Sequence, residues 1–146
     1  MKKTALLMGL ALIVGIAIGA FGMLIAFPYL FPPAEVNESV QDVDSKSAIA
    51  KGEFIHPDPS DPVHWGRGHV TVFAQGNHHE LYLEPDFEVG PGPDYYVYLS
   101  SGTDIRSNED FEAASNISIG RLKSFRGSQV YPVDDNVGIE QMASVV

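Results

Sequence analysis

Cysteine is absent from the 146 residues. Without thiols the chain has no disulfide staple, no thiolate ligand for zinc or an iron–sulfur cluster, and no cysteine nucleophile. Basic residues are scarce as well: nine Lys and Arg stand against nineteen Asp and Glu, a net charge of −10. Because Lys2 and Lys3 precede the first apolar run, the rest of the chain holds seven basic and nineteen acidic side chains, a net of −12. Such a surface repels phosphate backbones, so nucleic acid is a poor partner. Catalytic signatures are missing too: there is no G-x-S-x-G elbow, no phosphate-binding glycine loop, no H-E-x-x-H and no haem C-x-x-C-H. No residue stands as a base beside a nucleophile, so the chain reads as non-catalytic, and the sequence requires no cofactor. There is no internal repeat, and no amphipathic helix long enough to dominate a fold.

What is present begins with one long apolar run. Thr4 to Leu30 carries no charge, and Ala5 to Phe27 is almost wholly Leu, Ile, Val, Ala, Gly, Met and Phe. About 20 such residues at about 1.5 Å each cross a hydrocarbon core of about 30 Å. Residues 1–31 are therefore expected to form a cytoplasmic tip and a transmembrane anchor, with the membrane engaged through residues 5–30. A cleaved secretory signal is the alternative, but its apolar core would be about 7 to 15 residues and end in a small-x-small site. Phe27-Pro28-Tyr29-Leu30-Phe31-Pro32-Pro33 offers no such site. Lys2 and Lys3 favour a cytoplasmic amino terminus, which puts the remainder in the periplasm or outside the cell. Gly15-x-x-x-Gly19 would let two such helices approach closely.

Residues 32–48 read as an acidic linker with too few large apolar side chains to bury, although Ser47-Ala48-Ile49-Ala50 has the composition to start a short helix. Residues 49–146 read as one β domain of about 100 residues, a modest core. His69 to Ala74 alternates, with Val70, Val72 and Ala74 on one face and His69, Thr71 and Phe73 on the other; Glu80 to Glu84 returns after the turn residues Gly76-Asn77, giving a hairpin over 69–84. Gly90-Pro91-Gly92-Pro93-Asp94 then leads into the aromatic strand Tyr95 to Ser100, whose inner face is Tyr95, Val97 and Leu99. A helical turn is expected over Glu109–Ala114, and further strands over Asn116–Leu122 and Gln129–Val133. Short strands at such spacings predict an all-β fold, an antiparallel β-sandwich or barrel, preceded by one transmembrane helix.

Several runs in residues 49–146 together resemble the DM-thirteen domain, a β module of exported proteins. They are Gly52-x-Phe54, His64 with Gly68-His69-Val70-Thr71-Val72, Leu81-Tyr82-Leu83-Glu84-x-Asp86-Phe87, Gly92-Pro93-Asp94-x-x-Val97-Tyr98-Leu99-Ser100, and Leu122-Lys123-Ser124-x-x-Gly127-Ser128-Gln129-x-Tyr131. The resemblance implies an electron-transfer role, proposed for the family partly because many members carry a cysteine in the last strand. This chain ends at Ala143-Ser144-Val145-Val146 and has none. It is thus expected to be either a non-redox branch or a chain lacking its final strand, whose absence would leave a sheet edge unpaired.

Candidate site residues fall into two sets. Trp65, Tyr95 and Tyr96 are of the type that lines a groove for a sugar or a flat cofactor, and equally of the type that fills a core. His64, His69, Asp86 and Asp94 are candidate ligands for a metal, with Glu84 and Glu88 as further oxygen donors for calcium. Asp94 behind Pro93 is also placed to make an Asx turn, and a solvated surface explains the rest. For partners, the sequence leaves the membrane, and a protein partner or self-association through the helix or an exposed sheet edge.

Overall fold

A computed structural model describes residues 2–146. Its contacts separate the helix from a second unit made of residues 33–90 and 94–146.

The first unit holds the helix α1 (Lys2–Leu30), with Pro28 in its last turn, the residues after it up to Pro32, and Pro91–Pro93. Its large side chains are exposed on every side, Leu10, Ile16, Phe21 and Leu24 among them. By length and composition this one helix is able to cross a membrane.

The second unit is built from antiparallel sheets. Strands β1 (Ser47–Glu53), β3 (His69–Gln75), β4 (His78–Leu83) and β8 (Gln129–Val133) form a four-stranded sheet in the order β1-β3-β4-β8. Strands β6 (Tyr96–Ser100), β7 (Asn116–Arg121) and β9 (Ser144–Val145) form a second sheet with β6 in the centre. The short pair β2 (Gly66–Arg67) and β5 (Glu88–Val89) lies apart from both. A six-residue helix, α2 (Asn108–Ala113), sits between β6 and β7; Ser107 caps it by accepting the Asp110 N–H. Among the described residues no sheet closes on itself, so the fold is all-β and open, and the barrel alternative falls.

The core shows why the sheets stack. Val70, Leu81, Leu83, Tyr131 and Val133 come from the first sheet, Val97 and Leu99 from the second, and Phe87 from the segment between β4 and β5; all eight are buried together. Period-two alternation puts Val70 opposite Leu83 and Val72 opposite Leu81 in the hairpin, so one apolar face is continuous across both strands. Thr71 belongs to the outer face yet is only 2% exposed, because it lies between Lys51 of β1 and Tyr82 of β4. Its hydroxyl donates to Glu84 at 2.7 Å.

One stretch differs from expectation. Ser47–Ala50, read as the start of a helix, is the first half of β1: pairing with β3 from Ser47↔Ala74 to Glu53↔His69 overrides the preference of alanine. The carboxyl-terminal residues supply β9, which pairs Leu99 and Ser100 of β6. The Tyr98 and Val146 backbones also exchange hydrogen bonds at 2.7 and 3.0 Å.

The acidic segment before β1 touches the sheet at defined points. Lys46 pairs with Glu80 at 2.5 Å and Ser45 accepts from Gln75 at 2.9 Å. Glu38 lies along the outer edge of β8: its N–H donates to the Ser128 carbonyl at 2.9 Å, and its carboxylate accepts the Val130 N–H at 2.7 Å and Lys123 Nζ at 2.6 Å. Burial alone would raise the Glu38 carboxyl, but these two donors outweigh it and hold the group below its ordinary value.

Candidate functional site

The loop from His56 to Trp65 is shaped by its own aspartates. Asp58 accepts from the Ser60 backbone and hydroxyl at 2.9 and 2.6 Å. Asp61 accepts the N–H groups of Val63 and His64 at 2.8 and 3.1 Å and pairs with the His64 ring at 2.8 Å. The two backbone donors and the His64 ring hold the Asp61 carboxyl down to about 2. The three prolines of this loop remove backbone donors, and the Asx turns supply the missing order.

That order delivers Trp65 to a fixed place. The Gly90 N–H donates to the Trp65 carbonyl at 2.9 Å, and the indole lies against Gly90 so closely that a Cβ there would stand 3.1 Å from Trp65 Nε1. Glycine is thus needed at position 90 for close approach. The Arg67 guanidinium lies over the Trp65 ring at 5.7 Å and also pairs with Glu88, which faces Arg126 at 3.8 Å.

Trp65, Tyr95 and Tyr96 all line one groove of about 550 Å³, together with Phe54, Val89 and Leu122. Tyr95 stacks edge-on against Phe125 at 6.1 Å, and its carbonyl accepts the Leu122 N–H at 2.9 Å. Tyr96 is 44% exposed and stands 6.5 Å from the Tyr98 ring, which meets Phe111 edge-on at 5.2 Å. Arg106 and Asp104 add charge to the lining. Flat apolar walls with a few polar groups are the chemistry that takes an aromatic or sugar ring rather than an ion.

Of the four proposed metal ligands the structure brings together only His69 and Asp86, as a pair. His64 is taken by Asp61, His69 by Asp86 at 2.6 Å, and Asp94 by Arg121 at 3.2 Å. Glu84 accepts from Thr71, and Glu88 faces two arginines. Each acid has its own counter-charge or donor, and among the described residues no three His, Asp or Glu side chains gather as a ligand set. Asp94 makes an ion pair instead of the expected Asx turn; the aspartates that do make such turns are Asp58, Asp61 and Asp134.

His69 and Asp86 line a second, polar cleft of about 490 Å³ with Glu35, Glu53, Arg67 and Arg126. Gly68 sets their distance. Its φ of +102° turns the chain so that the His69 N–H reaches Asp86 at 3.1 Å, and a Cβ at this position would lie 2.6 Å from the Asp86 carbonyl oxygen. The Asp86 hydrogen bond, then its charge, raises the His69 pKa, and the same bond lowers that of Asp86.

One polar group of the interior was not singled out by sequence. Gln129 is fully buried, and its side-chain oxygen accepts the Lys123 and Ser124 N–H groups at 3.0 and 3.3 Å while its amide donates to the Ser124 carbonyl at 2.9 Å. It stands two residues before Tyr131, in the Gln-x-Tyr spacing that the family resemblance already contained.

No curated protein and no solved structure matches the chain. The family model described as Electron transfer DM13 matches residues 59–146, from the Pro-rich loop that carries Trp65 to the last strand, and by that match the chain belongs to the DM13 family.

Proposed function

We propose that the chain is a non-catalytic binding module, tethered to a membrane by α1, that presents the Trp65–Tyr95–Tyr96 groove on the periplasmic or extracellular side. The observation that carries the reading is the convergence of these three aromatics on one groove of about 550 Å³. The tether rests on the uncharged run of α1 and on Lys2 and Lys3 before it, which favour a cytoplasmic amino terminus. The ligand class is a flat ring, aromatic or sugar, held by stacking and apolar contact.

Trp65 is the only tryptophan, so its fluorescence reports on the groove alone. Titration of the full chain in nanodiscs with riboflavin, a flat heteroaromatic probe, and with a neutral oligosaccharide is expected to give saturable quenching or a spectral shift for one of them. A response that is linear for both overturns the reading. Protease digestion of intact cells tests the orientation, since protection of residues 33–146 would place the domain on the other side.

A second reading follows from the family description. In it the same groove holds a noncovalent redox cofactor, and the chain acts as an electron-transfer accessory. Absorbance spectra and elemental metal analysis of the purified full chain separate the two. A colourless, metal-free preparation that takes up no redox-active ring removes the second reading and leaves the first.

A further inference from the structure

The two edges of the four-stranded sheet are treated differently. On β8 the outward backbone groups from the Ser128 carbonyl to the Pro132 nitrogen are satisfied or missing: the Ser128 carbonyl accepts from Glu38 N, the Val130 N–H donates to the Glu38 carboxylate, the Val130 carbonyl accepts from Lys123 Nζ at 2.7 Å, and Pro132 has no N–H. This edge is closed to another strand.

The β1 edge is open. Phe54 donates to the Gly68 carbonyl, so Phe54, Gly52 and Ala50 direct their backbone groups at the neighbouring strand, and Lys51 and Glu53 direct theirs outward. Among the described residues nothing meets those outward groups, and every residue of β1 is exposed. Lysine on an edge ordinarily deters pairing. Here it is followed two residues later by an acid, which makes the strand complementary to itself.

We infer that β1 is an interface between two copies of this chain, paired antiparallel about a two-fold axis at Gly52. In that register Lys51 of one copy lies opposite Glu53 of the other, twice, as a hydrogen-bonded pair with side chains on one face. Gly52 faces Gly52 at the centre, and Ile49 and Ile55, each about half exposed, flank the pairing. The two four-stranded sheets become one sheet of eight, and the contact is isologous and closes at the dimer. A partner strand without an acid at this register leaves Lys51 unpaired, which selects the second copy over other strands.

The test uses the full chain in detergent micelles, followed by sedimentation over a range of concentrations. Lys51→Glu is expected to weaken the dimer by about tenfold or more, since it sets two pairs of like charges opposite each other. Lys51→Glu combined with Glu53→Lys restores it by exchanging the signs. The lack of native cysteine permits a register test. Lys51→Cys mixed with Glu53→Cys is expected to cross-link under mild oxidation, because the pair stands about 5.5 Å apart between Cα atoms. Lys51→Cys alone is expected not to, since its copies are offset by two residues. A monomer at all concentrations overturns the proposal. So does a dimer abolished by Gly15→Leu in the helix and indifferent to Lys51→Glu, or one that Lys51→Glu weakens and the exchanged pair fails to restore.

Discussion

The Tyr131 hydroxyl donates to the side-chain oxygen of Gln129 at 2.7 Å, and both residues are buried on the same face of β8. The hydroxyl also accepts the Lys123 N–H at 3.1 Å, so the turn after β7 is fastened to the sheet by two neighbouring side chains. Tyr131→Phe is expected to cost about 1 to 2 kcal/mol, the price of buried groups losing one partner. Gln129→Leu removes four accepted or donated bonds at once and is expected to cost about 3 kcal/mol or more. Urea denaturation of the full chain, followed by Trp65 fluorescence, measures both, with the glutamine variant the weaker.

Leu81 and Leu83 are fully buried at the middle of the core. Truncating either to alanine opens a cavity among rigid strands and is expected to cost about 3 kcal/mol, within the range of about 2 to 5 for such changes. Leu6→Ala in α1, whose side chain is 74% exposed, leaves the unfolding midpoint of the β domain unchanged.

The groove separates stability from binding. Tyr96→Ala is expected to change the midpoint of unfolding by less than about 0.5 kcal/mol, because the ring is exposed, and to abolish the saturable response of Trp65 to the flat probe. Gly90→Ala does the reverse in kind: its methyl meets the Val63 carbonyl and the indole, so it displaces Trp65 and shifts the emission of the unliganded protein.

The His69–Asp86 pair predicts a pH dependence with a definite sign. His69 has a raised pKa in the folded chain, so its contribution is fully present below the ordinary histidine value of about 6.5 and is lost as pH rises through the raised one. Asp86 is lowered, so its contribution is present above about 3.9 and is lost as pH falls through the lower value. Melting temperature against pH is therefore expected to fall on both sides of a maximum between these limits. Asp86→Asn removes the histidine's share of the fall on the alkaline side.

Glu38 adds to the acid limb. Its carboxyl is held low by Lys123 and the Val130 N–H against the cost of burial, so its clamp is present above about 4.3 and lost as pH falls through the lowered value. Glu38→Gln is expected to speed hydrogen exchange at Val130 while leaving Leu81 and Leu83 protected, which amide exchange by mass spectrometry or NMR resolves.

The hairpin over 69–84 was legible because Val70, Val72, Leu81 and Leu83 repeat at period two on strands of strong β composition. The apolar helix was legible from length alone. Ser47–Ala50 was not: its alanines favour a helix, and the partner that makes it a strand lies more than twenty residues away on β3. The aromatic types at 65, 95 and 96 were visible, but their meeting in one groove depends on the Asp61 turn and on the missing side chain at Gly90. Apart from the His69–Asp86 pair, the proposed metal ligands dispersed for a related reason. Each acid found a nearer arginine, histidine or hydroxyl, and such pairings between distant segments leave no mark in the order of residues. Glu38 looked like one more solvated acid of a polar stretch for the same cause, since its partners come about ninety residues later.

That separation sets an order of events during synthesis. Glu38 leaves the ribosome long before Ser128 and Val130 exist, and the outer edge of β8 cannot be sealed until the last quarter of the chain has been made. Until then the hairpin of β3 and β4 has one neighbour, β1, available within about twenty residues, and the other side of β4 stays exposed as an adhesive edge. Closing so long a loop is slow relative to forming the hairpin. The nascent chain is therefore most prone to capture by other unfinished copies in the interval between the completion of β4 and the arrival of β8.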